Sequence, residues 1–466
     1  MSFALVDKAD SPRPLYLATR DTLGALLETL GAEARAWAET QGYSADPGSL
    51  LALPAVSGEG SGYILGTGDD TSALGGVDAD LWALGAMPDA LPVGAYYLAA
   101  QPAEPSASRL ALGWALGAYA FTRYKKRKRV AATLVWPEHA NRERVSAMVE
   151  AIYLGRDLIN TPAGDLGPKE LAATARDVAE QHRASCSVIT GDDLLIENYP
   201  AIHAVGRAAQ NGPRLIDLRW GDETHPKVTL VGKGVCFDSG GLDIKSAAGM
   251  QIMKKDMGGA AAVLALAHVI MRAKLPVRLR VLIPAVENAI SGNAFHPLDV
   301  LSTRKGVTVE VGNTDAEGRL ILCDALAEAD REKPALLIDC ATLTGAARVA
   351  LGPELPVIFT RHDALAEDLQ NKAAQQGDPV WRLPLWPGYR RLLESKVADL
   401  SSTGESSFNG AITAALFLAE FVDPATKWVH IDMMAWNPRP RPGRPEGGEV
   451  HTIRALFALI EDYLAS

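Results

Sequence analysis

The stretch VGKGVCFDSGGLDIK, Val231–Lys245, begins as an apolar strand and then sets glycines between lysines and aspartates. The charged residues follow the carboxyl end of the strand KVTLVG and are Lys233, Asp238, Asp243 and Lys245. Ligands of α/β proteins gather at the carboxyl ends of strands, and the glycines of DSGG let the backbone approach closely whatever these side chains hold. The stretch therefore predicts a binding site at the edge of an α/β sheet.

Strand patterns alternate with helical patterns along the second part of the chain. Strands are predicted in VRLRVLIPAVE, VTVEVGNT, ALLIDCATLTG and WVHIDMMAW, and helices in GGAAAVLALAHVIMRA, GRLILCDALAEADRE and NGAITAALFLAEFV. Such alternation is typical of parallel strands with helices on both faces of the sheet. We expect an α/β protein of two domains, in which a smaller N-terminal α/β domain precedes a larger domain with a mixed, mostly parallel sheet flanked by helices.

The predicted division of the 466 residues places a first domain, whose role is left open, at 1–140, a linking helix at 141–159 and the larger domain at 160–466. Apolar residues recur at helical spacing across the linking segment, and NTPAG, Asn160–Gly164, ends it. The basic stretch RYKKRKR, Arg123–Arg129, has two interpretations, a solvated connector between the domains or a nucleic-acid surface. The acidic remainder of the chain favours the connector.

Composition narrows the class of protein. The net charge of −10 argues against a general polyanion-binding protein, so nucleic acid is not an expected partner. The four cysteines show no CxxC spacing and therefore indicate neither a disulfide framework nor a thiolate zinc site. The N-terminus lacks a signal-peptide pattern and no apolar run is long enough for a bilayer, so we expect a cytoplasmic protein without membrane association.

Acidic residues form a second cluster in NTDAEGR, Asn313–Arg319, after the strand VTVEV. Side chains two apart in an extended chain point the same way, so Asp315, Glu317 and Arg319 are expected to face one site. Asp256 precedes the helix GGAAAV, whose dipole favours an anion. Neighbouring carboxylates repel unless a cation lies between them. The acidic residues therefore predict two divalent metals, roughly 3.5–4 Å apart, that ionise a shared water.

Each of these segments has a plainer interpretation when taken alone. DSGG is a common turn, NTDAEG is an incomplete calcium loop, and GKG lacks the rest of a phosphate-binding loop. Their occurrence together, each after a strand, favours a functional site over three unrelated structural features.

NTDAEGRL, together with VGKGVCFDSGGLDIK and MKKDMGGAA, resembles the cytosol (leucyl) aminopeptidase family, peptidase family M17. The resemblance extends from Asn160 to His430 through NTPAG, ENAISGNAFHPLDV, IDCATLTGAARVALG and NGAITAALFLAEFV. It implies a metal-dependent aminopeptidase, a hydrolase that removes the first residue of peptides with a free N-terminus. It also implies a homohexamer.

The resemblance implies a role for each matching residue. The ligands of two divalent ions, Mn²⁺ or Zn²⁺, would be Lys233, Asp238, Asp256, Asp315 and Glu317, with Asp238 and Glu317 bridging. An amine ligand must be deprotonated, so the metal would depress the pKa of Lys233. Lys245 would polarise the scissile carbonyl, and Arg319 would hold a bicarbonate ion as general base.

The substrate pocket implied by the resemblance is formed by Lys245, Met253, Thr342, Leu343, Gly345 and Met434. Met434 and Ala435, in HIDMMAWN, stand where the family usually has smaller residues, and we expect Met434 to narrow or reshape the pocket. The preferred first residue therefore stays open. Two alternatives to a general aminopeptidase are a narrower dipeptidase, such as one that cleaves Cys-Gly, and an inactive metal-binding or DNA-binding relative.

Overall fold

The computed structural model describes residues 3–54, 62–69, 81–404, 406 and 408–465. The chain forms two compact units, one made of Met1–Glu150 and Arg439–Glu446, the other of Ala151–Pro438 and Gly447–Ser466. Both are built from sheets and helices, which confirms the predicted two-domain α/β architecture with the larger domain second. The Pro- and Arg-rich stretch Arg439–Glu446 belongs to the first unit, whereas the sequence-based division placed it in the second domain.

The first unit contains a mostly parallel six-stranded sheet. In order across the sheet the strands are Leu5–Val6, Thr133–Val135, Ala95–Leu98, Arg13–Thr19, Tyr63–Gly68 and Leu50–Ala52. The described helices of this unit are Arg20–Leu30, Ala32–Thr40, Met87–Ala90 and Ser106–Gly117. Leu15, Tyr96 and Trp114 are fully buried at the centre of its core, where large apolar side chains contribute most to stability.

The basic stretch Arg123–Arg129 is part of the first unit and is not a connector between units. Arg127 donates to the carbonyl of Ala118 and pairs with Asp89, while Arg129 donates to the carbonyls of Asp89 and Leu91. Two of its six basic side chains therefore hold the segment against its own unit. The segment is largely exposed, as expected, but the prediction that it connects the two domains was wrong.

The second unit is organised around a nine-stranded mixed sheet. Across the sheet the strands are Trp381–Arg382, Val357–Phe359, Trp428–Asp432, Leu336–Ala341, Lys227–Gly232, Arg278–Asn288, Arg214–Trp220 and Ser185–Thr190. The four central strands are parallel to one another, and antiparallel pairs flank them. The ninth strand, Gly234–Asp238, pairs with the end of Arg278–Asn288 and places Asp238 beside Asn288.

Helices, 3-10 turns and two small sheets complete the second unit. Its helices and turns are Pro168–Gln181, Asp193–Ile196, Pro200–Gly206, Ala247–Met250, Met253–Met257, Gly258–Arg272, Thr314–Ala316, Glu317–Arg331, Gly345–Leu351, Asp363–Gln375, Pro387–Leu393, Gly410–Ala419 and Ile453–Ala465. The small sheets contain Val300–Ser302, Thr308–Glu310 and Leu400–Ser401, and Trp436–Asn437 with Gly447–Gly448. The helix Arg142–Asn160 crosses the boundary between the units. Among the described helices, none combines the length and the apolar character that a membrane span requires.

The helix Gly258–Arg272 packs closely on the central strands because its sequence is almost entirely small or apolar. Every residue from Gly258 to Met271 is buried. A Cβ atom at Gly259 would lie 2.0 Å from the carbonyl oxygen of Cys340, so only glycine allows this approach of helix to strand. The close packing fixes the start of the helix, and with it Asp256, against the ends of the strands.

A buried ion pair ties the C-terminal part of the second unit to the helix Arg142–Asn160. Arg156 Nη2 lies 2.8 Å from Glu449 Oε2, and both side chains are buried. Burial opposes ionisation of Glu449, but Arg156 outweighs it and lowers the pKa of Glu449 to about 2. Since this pKa lies below its ordinary value of 4.5, the pair stabilises the fold fully above that pH and loses its effect as the pH falls towards 2.

We predict that Glu449→Gln destabilises the protein by about 3 kcal/mol at pH 7, because it removes a buried negative charge that lies 2.8 Å from the buried Arg156 guanidinium. Urea unfolding measures the effect, and the difference from wild type should shrink between pH 4.5 and 2. Asp363→Asn, which removes a largely exposed partner of Arg382, is the matched control and should change little. Equal effects of the two substitutions would contradict the prediction.

Candidate active site

Most of the predicted site residues converge on one cavity of about 340 Å³ in the second unit. Its wall includes these predicted residues: Lys233, Asp238, Lys245, Met253, Asp256, Asp315, Arg319, Thr342, Leu343 and Gly345. Glu317 is buried and contacts Lys233. Chain segments far apart in sequence therefore supply one continuous surface.

The loop after the strand Gly234–Asp238 positions the first carboxylate. Asp238 Oδ1 accepts hydrogen bonds from the backbone N–H of Gly240 and from Asn288 Nδ2, both at 2.9 Å. Gly240 and Gly241 have φ of +88° and +68°, a backbone conformation that favours glycine. A Cβ atom at Gly241 would also lie 2.9 Å from Asn288 Oδ1. The glycines of DSGG thus allow the loop to turn tightly beside Asp238.

The segment NTDAEGR is not an extended chain, so the sequence-based reason for its convergence was wrong. Thr314–Ala316 is a 3-10 turn, and Glu317 begins the helix Glu317–Arg331. Asn313 Oδ1 accepts from the backbone N–H of Asp315 at 2.7 Å and stabilises the turn. Asp315 and Glu317 approach each other because the chain coils here, and the helix dipole favours a carboxylate at this terminus.

Thr314 joins the two acidic loops, and sequence analysis missed it. Its hydroxyl donates to the carbonyl of Gly240 at 2.6 Å and accepts from the backbone N–H of Asp243 at 2.8 Å. Its backbone N–H donates to Asp243 Oδ2 at 2.8 Å. These bonds fix the loop that carries Asp238 against the turn that carries Asp315. No sequence motif marks such a contact, because its partners are about 70 residues apart.

Two lysines lie among the converging carboxylates. Oxygens of Asp238, Asp315 and Glu317 lie within 4.8 Å of one another. Lys245 Nζ is 2.7 Å from Asp238 Oδ2 and also contacts Asp315 Oδ1. Lys233 Nζ is 2.7 Å from Asp256 Oδ2 and 2.9 Å from Glu317 Oε1. All five residues predicted as metal ligands therefore lie in one neighbourhood.

The pKa values show how strongly these charges interact. Burial, and then the charge of Asp238, raises the pKa of Glu317 to about 8. The same two causes raise the pKa of Asp315. Burial opposes the charged form of Lys233, but Asp256 and Glu317 outweigh it and raise its pKa above the ordinary value. The amine ligation implied for Lys233 would require a metal that overcomes this effect.

The donor set fits divalent metal ions. Glu317 Oε2 is buried and has no hydrogen-bond donor within the described part of the chain, while the buried Asp256 Oδ2 and Glu317 Oε1 share one ammonium group, Lys233 Nζ. Buried carboxylate oxygens without donors are costly, and a cation satisfies them. Carboxylate oxygens with one amine suit Mn²⁺ or Zn²⁺.

Arg319 is a buried cation beside this cluster. Its Nη1 donates to the carbonyl of Ser402 at 2.7 Å, while its Nε has no hydrogen-bond partner among the residues the structure describes. Burial lowers the pKa of Arg319 to about 10, although Glu317 and Asp432 act in the opposite sense. The side chain thus remains charged at neutral pH and keeps one N–H group that can bind an anion.

The loop Thr342–Gly345 forms another part of the wall. Thr342 Oγ1 lies 2.8 Å from Asp256 Oδ1, which holds that carboxylate in place. Asp432, which sequence analysis did not select, accepts from the backbone N–H groups of Leu343 and Thr344 at 2.9 and 3.2 Å. Asp432 therefore fixes the loop that begins the helix Gly345–Leu351. Its position after the strand Trp428–Asp432 was the available signal.

The structure places Met433, and not Met434, in the described wall of the cavity. Met434 Sδ instead accepts a hydrogen bond from Arg348 Nη1 at 3.3 Å. Ala435 has φ of +55°, a conformation in which glycine is favoured, and its Cβ lies next to Gly258. Met434 and Ala435, the two departures from the family pattern, therefore lie next to the cavity and do not form part of its described wall.

Two further cations in the wall, Lys255 and Arg348, were missed by sequence analysis. Burial lowers the pKa of Lys255 to about 8, while the charge of Asp256 raises it and that of Arg348 lowers it. Both residues lie within motifs that sequence analysis quoted, MKKDMGGAA and IDCATLTGAARVALG, but no rule of spacing distinguishes them from surface residues.

The chain matches two models of one family. Residues 153–457 match the catalytic domain of the cytosol aminopeptidase family, and residues 13–137 match the N-terminal domain of M17 aminopeptidases. The probable cytosol aminopeptidase of Roseiflexus castenholzii is 39% identical over 385 residues, which cover 78% of each chain.

Solved structures agree with these matches. Cytosol aminopeptidase from Coxiella burnetii is 47% identical with a TM-score of 0.93, covering 98% of this chain and 99% of the other. The bottromycin maturation enzyme BotP in complex with Mn is 33% identical with a TM-score of 0.88, covering 98% and 100%. The chain therefore belongs to the cytosol aminopeptidase family, M17, and is a metal-dependent exopeptidase of the leucyl aminopeptidase type.

Proposed function

We propose that this chain removes the first residue of peptides with a free N-terminus and binds two divalent ions, Mn²⁺ or Zn²⁺, through Lys233, Asp238, Asp256, Asp315 and Glu317. The observation that carries the proposal is the convergence of these residues at one cavity, where Asp256 and Glu317 share the single ammonium group of Lys233 and the buried Glu317 Oε2 has no donor within the described chain. These residues would hold the ions, whose chemistry would be to lower the pKa of a bound water towards neutral and to polarise the scissile carbonyl.

The protein's own groups hold the proposed ligands in fixed orientations. Asn288 and the backbone N–H of Gly240 orient Asp238, and Thr342 orients Asp256. Such supporting hydrogen bonds typically change metal affinity or activity by about 10–100-fold when they are removed. The proposed bridging residues, Asp238 and Glu317, are both nearly fully buried, so water competes little for their oxygens.

Lys245 is the proposed electrophile. Burial opposes its charged form, but Asp238 and Asp315 raise its pKa, so the ammonium group persists at neutral and mildly alkaline pH. It lies in the cavity wall, where it can donate to the carbonyl oxygen of a bound peptide and stabilise the developing negative charge. Lys245 contacts two of the proposed ligands, Asp238 and Asp315, and would exchange part of these contacts for the substrate if their oxygens held metal.

Arg319 is proposed to hold a bicarbonate ion that serves as general base. The unpartnered Nε and the charge of Arg319 support this role, and so does the absence of any neutral histidine from the described cavity wall. The nearby His430 is buried and pairs with Asp339 at 2.6 Å, so it is committed to a structural contact.

We also propose a cytoplasmic homohexamer that binds peptides and neither nucleic acid nor membranes. Exposed apolar side chains on the second unit, among them Leu298, Val349 and Phe408, support contacts between subunits. The net charge of −10 supports the exclusion of nucleic acid.

A panel of aminoacyl-p-nitroanilides assayed with Mn²⁺, Zn²⁺ and Co²⁺ tests the proposed activity. We predict that Lys245→Met lowers kcat by about 100-fold or more, because the oxyanion loses its donor. The same variant should bind Mn²⁺ at least as tightly as wild type in calorimetry, since a competing cation is gone. Lys396→Met, on the exposed surface, is the control. Failure of wild type to hydrolyse any substrate with any metal would overturn the proposed function.

We predict that bicarbonate added to the bicarbonate-depleted protein raises kcat of wild type and not of Arg319→Met, because only the guanidinium binds the anion. Thermal unfolding and Mn²⁺ binding establish that the variant is folded and able to bind metal. An equal response of both proteins would show that Arg319 does not hold the base.

We predict that kcat/KM rises with pH between about 6 and 8, because the substrate's α-amine, with a pKa of about 7.7–8.0, must be neutral to act as a ligand. The profile of a leucine substrate with saturating Mn²⁺ measures this. A sharply acidic optimum would contradict the prediction.

A further inference from the structure

The cavity wall carries more positive charge than the proposed metal site uses. Its described part includes these cationic side chains: Lys233, Lys245, Lys255, Arg319 and Arg348. Lys233 and Lys245 contact the carboxylate cluster, and Arg319 is bound to the carbonyl of Ser402. Lys255 and Arg348 have no part in the proposed chemistry, so their positive charges are available to bind another group.

Arg348 pairs with no carboxylate among the residues that the structure describes. It lies on the helix Gly345–Leu351, and its Nη1 donates to Met434 Sδ at 3.3 Å. A thioether sulfur is a weak acceptor and carries no charge. A half-buried guanidinium thus faces the cavity with most of its donors available.

Lys255 is a more deeply buried cation in the same wall, with only 3% of its surface exposed. Its Nζ lies 3.7 Å from Asp256 Oδ1, beyond hydrogen-bond distance, and that oxygen already accepts from Thr342 Oγ1 at 2.8 Å. The preceding residue, Lys254, instead donates to the carbonyl of Asn160 at 2.6 Å. Burying an ammonium group without a close partner is costly, so an anion bound beside Lys255 would be stabilised there.

The two cations lie in the wall of the same cavity, which has a volume of about 340 Å³. The charged groups around Lys255 are Asp256, Arg348, Lys233 and Asp432. Asp256 is a proposed metal ligand, and Asp432 accepts hydrogen bonds from the loop Thr342–Gly345. Neither carboxylate is free to neutralise an added pair of cations.

We propose that Arg348 and Lys255 form an anion subsite that binds the side-chain carboxylate of an acidic first residue, so that the protein prefers peptides beginning with glutamate or aspartate. This inference rests on the proposed function. The amine and the scissile carbonyl of the substrate lie at the cluster of carboxylates and lysines, and its first side chain then faces the remaining wall of the same cavity, which includes Arg348. Guanidinium and carboxylate groups match in charge and geometry.

A neutral first residue leaves both cations without a partner. Leucine fills space but offers no acceptor, and glutamine offers an acceptor without charge. A site built to bind a charged group rejects an analogue that lacks it, because its own buried groups then remain unpaired. Glutamate and glutamine have nearly the same shape, so their ratio isolates the effect of charge.

A second source of the same chemistry is the C-terminal carboxylate of a dipeptide, which Arg348 would bind if the protein were a dipeptidase. The side chain is favoured because Lys255 lies directly beside Asp256, a proposed metal ligand, where the first residue of the substrate must bind. Comparison of Leu-Gly with Leu-Gly-amide distinguishes the two sources, because only the first carries a terminal carboxylate.

The experiment compares kcat/KM for glutamyl-, glutaminyl- and leucyl-p-nitroanilide in the Mn²⁺-loaded protein. We expect wild type to prefer the glutamyl over the glutaminyl substrate by about tenfold or more, the usual size of a charge-assisted contact. Arg348→Gln should bring this ratio close to one, and Arg348→Lys should retain part of it. The ratio is taken within each variant, so a general loss of activity cancels.

Arg331→Gln is the matched control, since it removes an arginine of the same unit that is 69% exposed and lies outside the described cavity wall. It should keep the wild-type ratio. Calorimetry of free L-glutamate and L-glutamine adds a readout that does not depend on turnover, and wild type should bind glutamate more tightly in a manner that Arg348→Gln abolishes.

A glutamyl-to-glutaminyl ratio near one in wild type, with active hydrolysis of the leucyl substrate, would overturn the subsite and leave the proposed function intact. The subsite is also overturned if Leu-Gly exceeds Leu-Gly-amide and this difference alone depends on Arg348. If no substrate is hydrolysed with any metal, the proposed function fails, and the calorimetric comparison still decides whether the subsite exists.

Discussion

The mutual repulsion of closely spaced carboxylates is the constraint on which the rest of the site depends. Asp238, Asp256, Asp315 and Glu317 converge although burial and the charge of Asp238 raise the pKa of Asp315 and raise that of Glu317 to about 8. Lys233 and Lys245 offset part of this charge through contacts of 2.7–2.9 Å. When all four carboxyl groups are ionised, their negative charge exceeds the positive charge of the two lysines, and divalent cations can neutralise the excess. The cluster is therefore costly as a purely structural feature and well suited to metal binding.

The surrounding fold holds these mutually repelling carboxylates in place. Parallel central strands end at one edge, and glycines bring the helix Gly258–Arg272 close enough to hold Asp256 there. Thr314 fastens two acidic loops to each other, and Asp432 fixes the loop that carries Thr342. Strained or tightly turned backbone occurs at Gly240, Gly241 and Ala435, close to the cavity.

Much of this was predictable, for identifiable reasons. Strand and helix patterns have strong periodicity, so the α/β class and the elements around the site could be predicted from the sequence. The motif NTDAEGRL identified the family resemblance, which in turn implied the candidate site residues. The local conformation was not predictable in the same way: Asp315 and Glu317 were expected on an extended chain and lie in a turn and a helix. Contacts such as that of Thr314 with Gly240 join distant segments and leave no local pattern. Lys255 and Arg348 could not be recognised because burial inside a cavity depends on tertiary structure.

Anomalous diffraction at the manganese edge, from crystals grown with Mn²⁺, decides whether paired cations neutralise the carboxylate cluster. We expect two peaks in each chain, both surrounded by oxygens of Asp238, Asp256, Asp315 and Glu317, with Lys233 Nζ bound to one of them. A single peak, peaks only elsewhere on the chain, or carboxylates still paired with both lysines at saturating Mn²⁺ would contradict this expectation.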